Sequence, residues 1–226
     1  MVVQGLGDSG HGWQPVATMF GSDPAMQHIK WVLPHATRLA DDVATDRPNM
    51  PVTANGGMRM PSWFDIIQFG SGIEDEPGML KTVRLLNEII TAEVDAGIPA
   101  NRIIIGGFSQ GGAMSLLTGL TTERKLGGIV AMSAWLPLKN KIKAMVGDHA
   151  NKLPIFWGHG KDDPLIRFKW ATESIDFMKS DLGTQEATAE DNTGLEFHAY
   201  DDLVHSANDK EIVDLQVWLQ KAIPEA

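Results

Sequence analysis

The sequence predicts an α/β domain: a mainly parallel, doubly wound sheet with helices on both faces. Three observations carry this. Short β-rich runs alternate with longer stretches of helical periodicity, most of the helical stretches follow a strand-like run, and glycine-rich turns stand where strands give way to helices. At 226 residues and 43% hydrophobic content, the chain can bury one substantial core, so residues 1–226 are expected to form one domain.

In chain order, the strand-like runs are Val2–Val3, 29–33, 102–105, Gly128–Met132, 153–157 and Leu195–Tyr200. The strongest helical signal lies between the second and third runs. There Met79, Val83, Leu86, Ile90 and Val94 recur every three to four residues until Gly97, Ile98 and Pro99 stop the pattern. A second helix is expected to start at Gln110, a third over 165–178, and a fourth over 208–222 with Ile212, Leu215 and Leu219 inward. Residues 41–60 and 180–193 lack either periodicity and read as surface loops. No internal repeat or low-complexity tract occurs.

Bulk properties narrow the function classes. A net charge of −10 without any basic run disfavours nucleic-acid binding. The chain has no cysteine, which removes disulfides, thiolate chemistry and Cys-ligated zinc, so a nucleophile must be oxygen or nitrogen. The N-terminus lacks a secretory pattern, and the longest mostly apolar stretch, 126–138, is too short to span a bilayer. A soluble cytoplasmic protein is expected, with the nucleus also open.

The chemistry is concentrated in turns. Gly107-Phe108-Ser109-Gln110-Gly111 matches G-x-S-x-G between a β-branched run and a helix-forming one, the context of the nucleophile elbow of α/β-hydrolases. Such a turn strains the serine backbone, and Gly106, Gly107, Gly111 and Gly112 give strand and helix room to approach. The plainer alternative is a glycine-rich turn with a serine helix cap. At the helix start, the Gln110 N–H faces any negative charge developing beside Ser109, which supplies one oxyanion donor. The loop Gln4-Gly5-Leu6-Gly7-Asp8 is the expected source of the second, at Leu6 N–H. Residues 5–10 also spell G-x-G-x-x-G, but Gly12 and Pro15 interrupt the helix a dinucleotide would need, so that reading fails on context.

Chain order in this fold requires an acid after a later strand and a histidine after the last one. Of seven histidines, only His205 follows the last strand-like run. His159 follows the 153–157 run and His198 lies inside the last strand. The acid is Asp163, with Asp162 second, both standing just before Pro164, the residue expected to open the next helix. A metal site drawn from Asp162, Asp163, His198 and His205 is weaker, since no compact ligand spacing occurs.

GLGDSGHGW (5–13), MPSWFDI (60–66), GIPANRIIIGGFSQGGAMSL (97–116), SAWLPL (133–138), GKDDPL (160–165) and LVHSA (203–207) together resemble the acyl-protein thioesterase family, also called lysophospholipase-carboxylesterases. The resemblance covers nearly the whole chain. It implies a cytosolic serine hydrolase that removes palmitoyl and similar acyl groups from protein cysteines and also cleaves lysophospholipids and small esters. Ser109, Asp163 and His205 fall on the family's triad positions, and Leu6 and Gln110 on its oxyanion positions. Residues near Leu6, Trp135 and Leu136 fall on its acyl-channel walls. No metal or organic cofactor is implied. The expected partners are acylated proteins or acyl lipids, with at most peripheral membrane contact, and the oligomeric state is left open, a weak homodimer included.

Three departures stand out. Gln4 replaces the histidine usual before the first glycine, the first strand is short, and 41–60 is longer than in relatives, consistent with an insertion that modifies a lid. Two other functions remain in view. One is a carboxylesterase for short-chain or lipid esters with a shallow pocket; the other is a non-catalytic hydrolase-like binding protein.

Overall fold

Along the central strands apolar side chains alternate between two faces, and both faces are buried, which is what a sheet covered by helices on each side requires. The computed structural model describes residues 1–36, 49–70, 72–188 and 192–225. Within them the elements run β1 (Val2–Val3), α1 (Gln14–Gly21), β2 (Met50–Val52), β3 (Met58–Met60), α2 (Glu76–Asp95), β4 (Ile104–Phe108) and α3 (Gln110–Thr121). They continue through β5 (Gly128–Met132), α4 (Lys139–Ile142), β6 (Ile155–Gly160), α5 (Phe168–Asp181), β7 (Leu195–Tyr200) and α6 (Asp209–Ala222). Five strands form one sheet in the order β1-β4-β5-β6-β7, every pair parallel.

Ile105, Ile129, Ala131, Ile155 and Trp157 point to one face. There they meet Met79, Leu86 and Ile90 of α2, Met114, Leu116 and Leu117 of α3, and Ala171, Ile175 and Met178 of α5. Ile104, Val130, Met132 and Phe156 point to the other, against Phe20 of α1 and Leu215, Trp218 and Leu219 of α6. The α2 stripe packs as its periodicity predicts. Its N-terminus is capped by Asp75, whose carboxylate accepts the Gly78 N–H at 3.0 Å, and Gly97 turns away at φ +99°.

Several boundaries differ from the sequence expectation. Residues 29–33 do not form a strand: β1 offers them an edge of only two residues, and one backbone bond joins the pair, Val2 N–H to Val32 O at 2.9 Å. Residues 49–60 are not all loop, because β2 and β3 pair antiparallel from Met50↔Met60 to Val52↔Met58 around Gly56 and Gly57, both at positive φ. Strands of three residues, one with Pro51 and several exposed positions, are too short to show alternation. The remainder of the 41–60 stretch, 41–48, lies outside the described residues. The third helix starts at Phe168 rather than 165 and runs to Asp181, so the polar stretch begins after it. That stretch pairs once with β7, at Glu186↔Leu195, while 189–191 lie outside the described residues. Among the described residues, no helix is long and apolar enough to cross a membrane.

Beside β1 lies an apolar cavity of about 220 Å³, walled by residues such as Ile29, Trp31, Ile103 and Leu219. Its lining includes none of Ser109, Asp163 and His205.

A buried carboxyl group sits under α6. Asn208 caps that helix by accepting the Glu211 N–H at 2.8 Å, which turns the Glu211 side chain in toward β6. It fills the space that Gly158 leaves, since a Cβ on Gly158 would lie 2.2 Å from Glu211 Oε1. Neither carboxylate oxygen has a hydrogen-bond partner among the described residues. Burial, reinforced by the nearby Asp214 charge, pushes the Glu211 carboxyl up to about 8. The folded state therefore keeps a proton that the unfolded chain releases near 4.5, and stability falls as pH rises through this window. Replacing Glu211 by Gln should flatten the urea-midpoint profile between pH 5 and 9. It should also leave the variant more stable than the wild type at pH 8, by on the order of a few kcal/mol. Parallel profiles for the two proteins would contradict this placement.

Candidate active site

The strand β4 ends at Phe108 and α3 begins at Gln110, so a single residue, Ser109, makes the turn. It sits at φ +54° and ψ −118°, a conformation that non-glycine residues adopt only when their surroundings impose it. Those surroundings are backbone. A Cβ on Gly107 would lie 2.3 Å from Val3 O and 2.5 Å from the carbonyl carbon of Gly111. A Cβ on Gly111 would lie 2.0 Å from Val3 O and 2.6 Å from Gln4 O. Strand, helix start and β1 thus touch main chain to main chain, and Ser109 is held between Met132 O, which accepts its N–H at 2.8 Å, and Ala113 N–H, which donates to its carbonyl at 3.0 Å.

His205, in the loop after β7, places Nε2 3.0 Å from Ser109 Oγ and Nδ1 2.7 Å from Asp163 Oδ2. An ionised carboxylate only accepts, so Nδ1–H donates to Asp163 and the Nε2 lone pair faces the serine hydroxyl. The Phe108 ring lies 4.8 Å from the imidazole, centroid to centroid, and Trp13 backs Phe108 at 6.2 Å.

The Asp163 side chain is fully buried. Burial alone would raise its pKa, but the bond from His205 and the backbone N–H groups of Ile166 and Leu165, each 2.8 Å from Oδ1, outweigh it and hold the carboxyl below its ordinary 3.8. Those two N–H groups also explain the late start of α5. The carboxylate organises 163–166 as a turn, and Pro164 sits in that turn instead of opening the helix. Asp162 is exposed and its backbone N–H binds Leu203 O, so the choice between the two aspartates falls on Asp163.

His159 is a neighbour the sequence reading set aside. It lies inside β6, fully buried, with Nε2–H on Ile166 O at 2.8 Å and 3.7 Å from Asp163 Oδ2. Burial lowers its pKa, which keeps it neutral and leaves the Asp163 charge to His205. The one signal for it in the sequence is that His159 follows the 153–157 run, which in the structure extends to Gly160. His198 lies on β7 against Glu196, 2.8 Å, and Asp214, 3.6 Å, apart from the Asp163–His205 pair. Among the described residues, no group of three or more His, Asp or Glu could hold a metal ion.

The loop carrying Leu6 lies against the elbow: a Cβ on Gly5 would stand 3.7 Å from Ser109 Cβ. Gly7 turns it at φ +81°, without the helix start that a dinucleotide site needs, since 10–13 is a 3₁₀ turn and α1 begins at Gln14. Gln4 is fully buried, and with its amide oriented to satisfy both neighbours its nitrogen donates to Pro34 O at 2.7 Å and its oxygen accepts the Ala36 N–H at 2.5 Å. Trp135 and Leu136, with Phe64, Ile66, Ile166 and Trp170, line a cavity of about 350 Å³, the size of a small-ligand pocket. Leu6 lies outside this lining. One part of the wall is charged, with Glu74, Lys139 and Glu173. Burial raises the Glu74 pKa even though its carboxylate accepts the Leu138 N–H, and burial lowers that of Lys139.

A parallel sheet flanked by helices, with a strained serine on the strand-to-helix turn, defines the α/β-hydrolase class. A family model described as Phospholipase/Carboxylesterase matches residues 2–223. A protein from Cryptococcus neoformans named acyl-protein thioesterase 1 is 46% identical over 98% of this chain and 90% of its own. Its namesake from Yarrowia lipolytica is 39% identical over 99% and 91%. The crystal structure of Arabidopsis thaliana SOBER1 superposes with a TM-score of 0.83 at 32% identity, covering 98% of this chain and 97% of that one. The chain belongs to the phospholipase/carboxylesterase family, among the acyl-protein thioesterases, and is a hydrolase.

The backbone contacts at the elbow set a strict test. Gly111→Ala should destabilise the fold by at least about 1–3 kcal/mol, because only backbone atoms stand in the way of the new methyl group. Its urea midpoint is the measurement. A variant as stable as the wild type would show that β1 and α3 do not approach this closely.

Proposed function

We propose that Ser109, His205 and Asp163 are the catalytic triad of a serine hydrolase that cleaves acyl thioesters, with protein S-acyl groups as its substrate class, and related esters. The observation that carries this is the single imidazole joining a strained serine hydroxyl, at 3.0 Å, to a buried carboxylate, at 2.7 Å. In this mechanism Ser109 Oγ attacks the acyl carbonyl carbon while His205 Nε2 takes its proton. The tetrahedral oxyanion is met by the N–H groups of Leu6 and Gln110. The carbon–sulfur bond then breaks, the leaving thiolate takes the proton from His205, and the acyl group remains on Ser109. Water attacks this ester with His205 again as base, releasing the fatty acid and the free serine. Asp163 stabilises the imidazolium without taking the proton.

The relatives named as acyl-protein thioesterases support the substrate class; the cavity walled by Trp135 and Leu136, whose lining also includes none of Ser109, Asp163 and His205, is the proposed place of the acyl chain. A cytoplasmic place of action, with the nucleus open, belongs to the same reading and rests on the family resemblance. One observation favours a second reading, a carboxylesterase for short soluble esters: Glu74, Lys139 and Glu173 on the cavity wall oppose deep burial of a long chain.

Fluorophosphonate labelling tests the triad. The wild type should be labelled, Ser109→Ala should not, and Asp163→Asn should lose roughly four orders of magnitude in kcat. Labelling that survives in Ser109→Ala would sink the proposal. A series of nitrophenyl esters and acyl thioesters separates the two substrate readings. Rising kcat/KM toward palmitoyl supports the thioesterase, and a maximum at short chains supports the carboxylesterase.

A further inference from the structure

The two proposed oxyanion donors, one on the loop after β1 and one at the start of α3, are far apart in sequence, yet one short segment is hydrogen-bonded to the surroundings of both. Pro61 O accepts the Gly7 N–H at 2.8 Å, and the Trp63 indole Nε1–H donates to Gln4 O at 2.9 Å. These bonds fix the Gln4–Gly5 and Leu6–Gly7 peptides, which bracket the Gly5–Leu6 peptide that carries the Leu6 N–H. At the start of α3, Gln110 Oε1 accepts the Trp63 main-chain N–H at 3.0 Å, and Gln110 Nε2 donates to Ser62 Oγ and Phe64 O, each at 2.9 Å. Thr82 of α2 donates its hydroxyl to Trp63 O. All of these side chains are buried: Gln110 and Thr82 are fully enclosed, and Ser62 and Trp63 nearly so.

Among the described residues, Trp63 is the one bonded on both sides, through its indole to Gln4 and through its peptide N–H to Gln110. We infer that Trp63 is a positioning residue that sets the separation of the Leu6 and Gln110 N–H groups, and so the strength with which the pair holds the transition-state oxygen. An oxyanion donor acts only near 2.7–3.1 Å from where the charge develops, roughly, so an error of about 1 Å between the two loops weakens one of the bonds. Nothing in the bonding of Trp63 touches Ser109, Asp163 or His205, so the effect is confined to the oxyanion. The Gln110 side chain gains a role as well, as the anchor of the segment to the elbow, in addition to the role proposed for its main-chain N–H. The inference rests on the proposed triad and oxyanion assignment.

Trp63→Phe keeps an aromatic ring in the space but deletes the indole N–H. With nitrophenyl butyrate as substrate and rates expressed per fluorophosphonate-titrated serine, kcat should fall by about tenfold to a hundredfold while KM stays within about twofold. The affinity of an alkyl boronic acid, which forms a tetrahedral adduct on serine, should fall in parallel with kcat/KM. The pH at half-maximal rate should not move. A variant with wild-type kcat per active serine and wild-type boronate affinity, whatever its melting temperature, would overturn the inference. If Trp63→Phe does not fold, Thr82→Val, which removes the hydroxyl holding the Trp63 carbonyl, is read by the same quantities with the same two outcomes. Absence of hydrolysis and of labelling in the wild type would instead overturn the triad reading beneath it.

Discussion

The contact between the Val3 carbonyl and the glycines at 107 and 111 is the constraint on which the rest of the site depends. Because no side chain intervenes, β1, β4 and the start of α3 lie within main-chain distance of one another, and the chain between β4 and α3 has only one residue in which to reverse. That residue is forced into a positive-φ conformation, with its hydroxyl 3.0 Å from His205 Nε2. The same approach brings the loop after β1 against Ser109, which is the basis for the proposed pairing of the Leu6 and Gln110 N–H groups. Strain at Ser109 is sustained because the large buried surface on both faces of the sheet fixes the flanking elements.

The electrostatics follow from burial. Asp163 lies out of water and holds its charge because two backbone N–H groups and His205 compensate for it, whereas His159 beside it stays neutral and Glu211 beneath α6, lacking partners among the described residues, retains its proton. The same cost of desolvation produces opposite ionisation states according to how many donors each group meets. A fixed, charged Asp163 sets the tautomer of His205, which gives Ser109 an acceptor for its proton. Helix placement is part of this balance: α5 starts late because Asp163 has taken the first free N–H groups of the turn.

Much of this was legible in the chain. The elbow was readable because Gly107-Phe108-Ser109-Gln110-Gly111 combines a motif with its strand-turn-helix context, and His205 because only it follows the last strand. The α2 stripe and the β-rich run Gly128–Met132 were strong enough to fix those elements. What escaped was short or depended on partners distant in sequence. Residues 29–33 have strand composition but too little edge to pair with, since β1 has two residues. The three-residue strands around Gly56 are too brief for a period to emerge. The Gln110 side chain, the Trp63 indole and the inward turn of Glu211 carry no local signal, because each is explained by a carbonyl, an amide or a gap supplied from another element.

The central claim is that the close backbone approach at the elbow assembles two oxyanion donors beside Ser109. A crystal structure of the phosphonylated protein tests it most directly, since the phosphonyl group mimics the tetrahedral intermediate. The account predicts phosphorus bonded to Ser109 Oγ with one non-ester oxygen within about 2.7–3.1 Å of both Leu6 N and Gln110 N. Phosphorus on another residue, or an oxygen directed to solvent and away from those two groups, would contradict it.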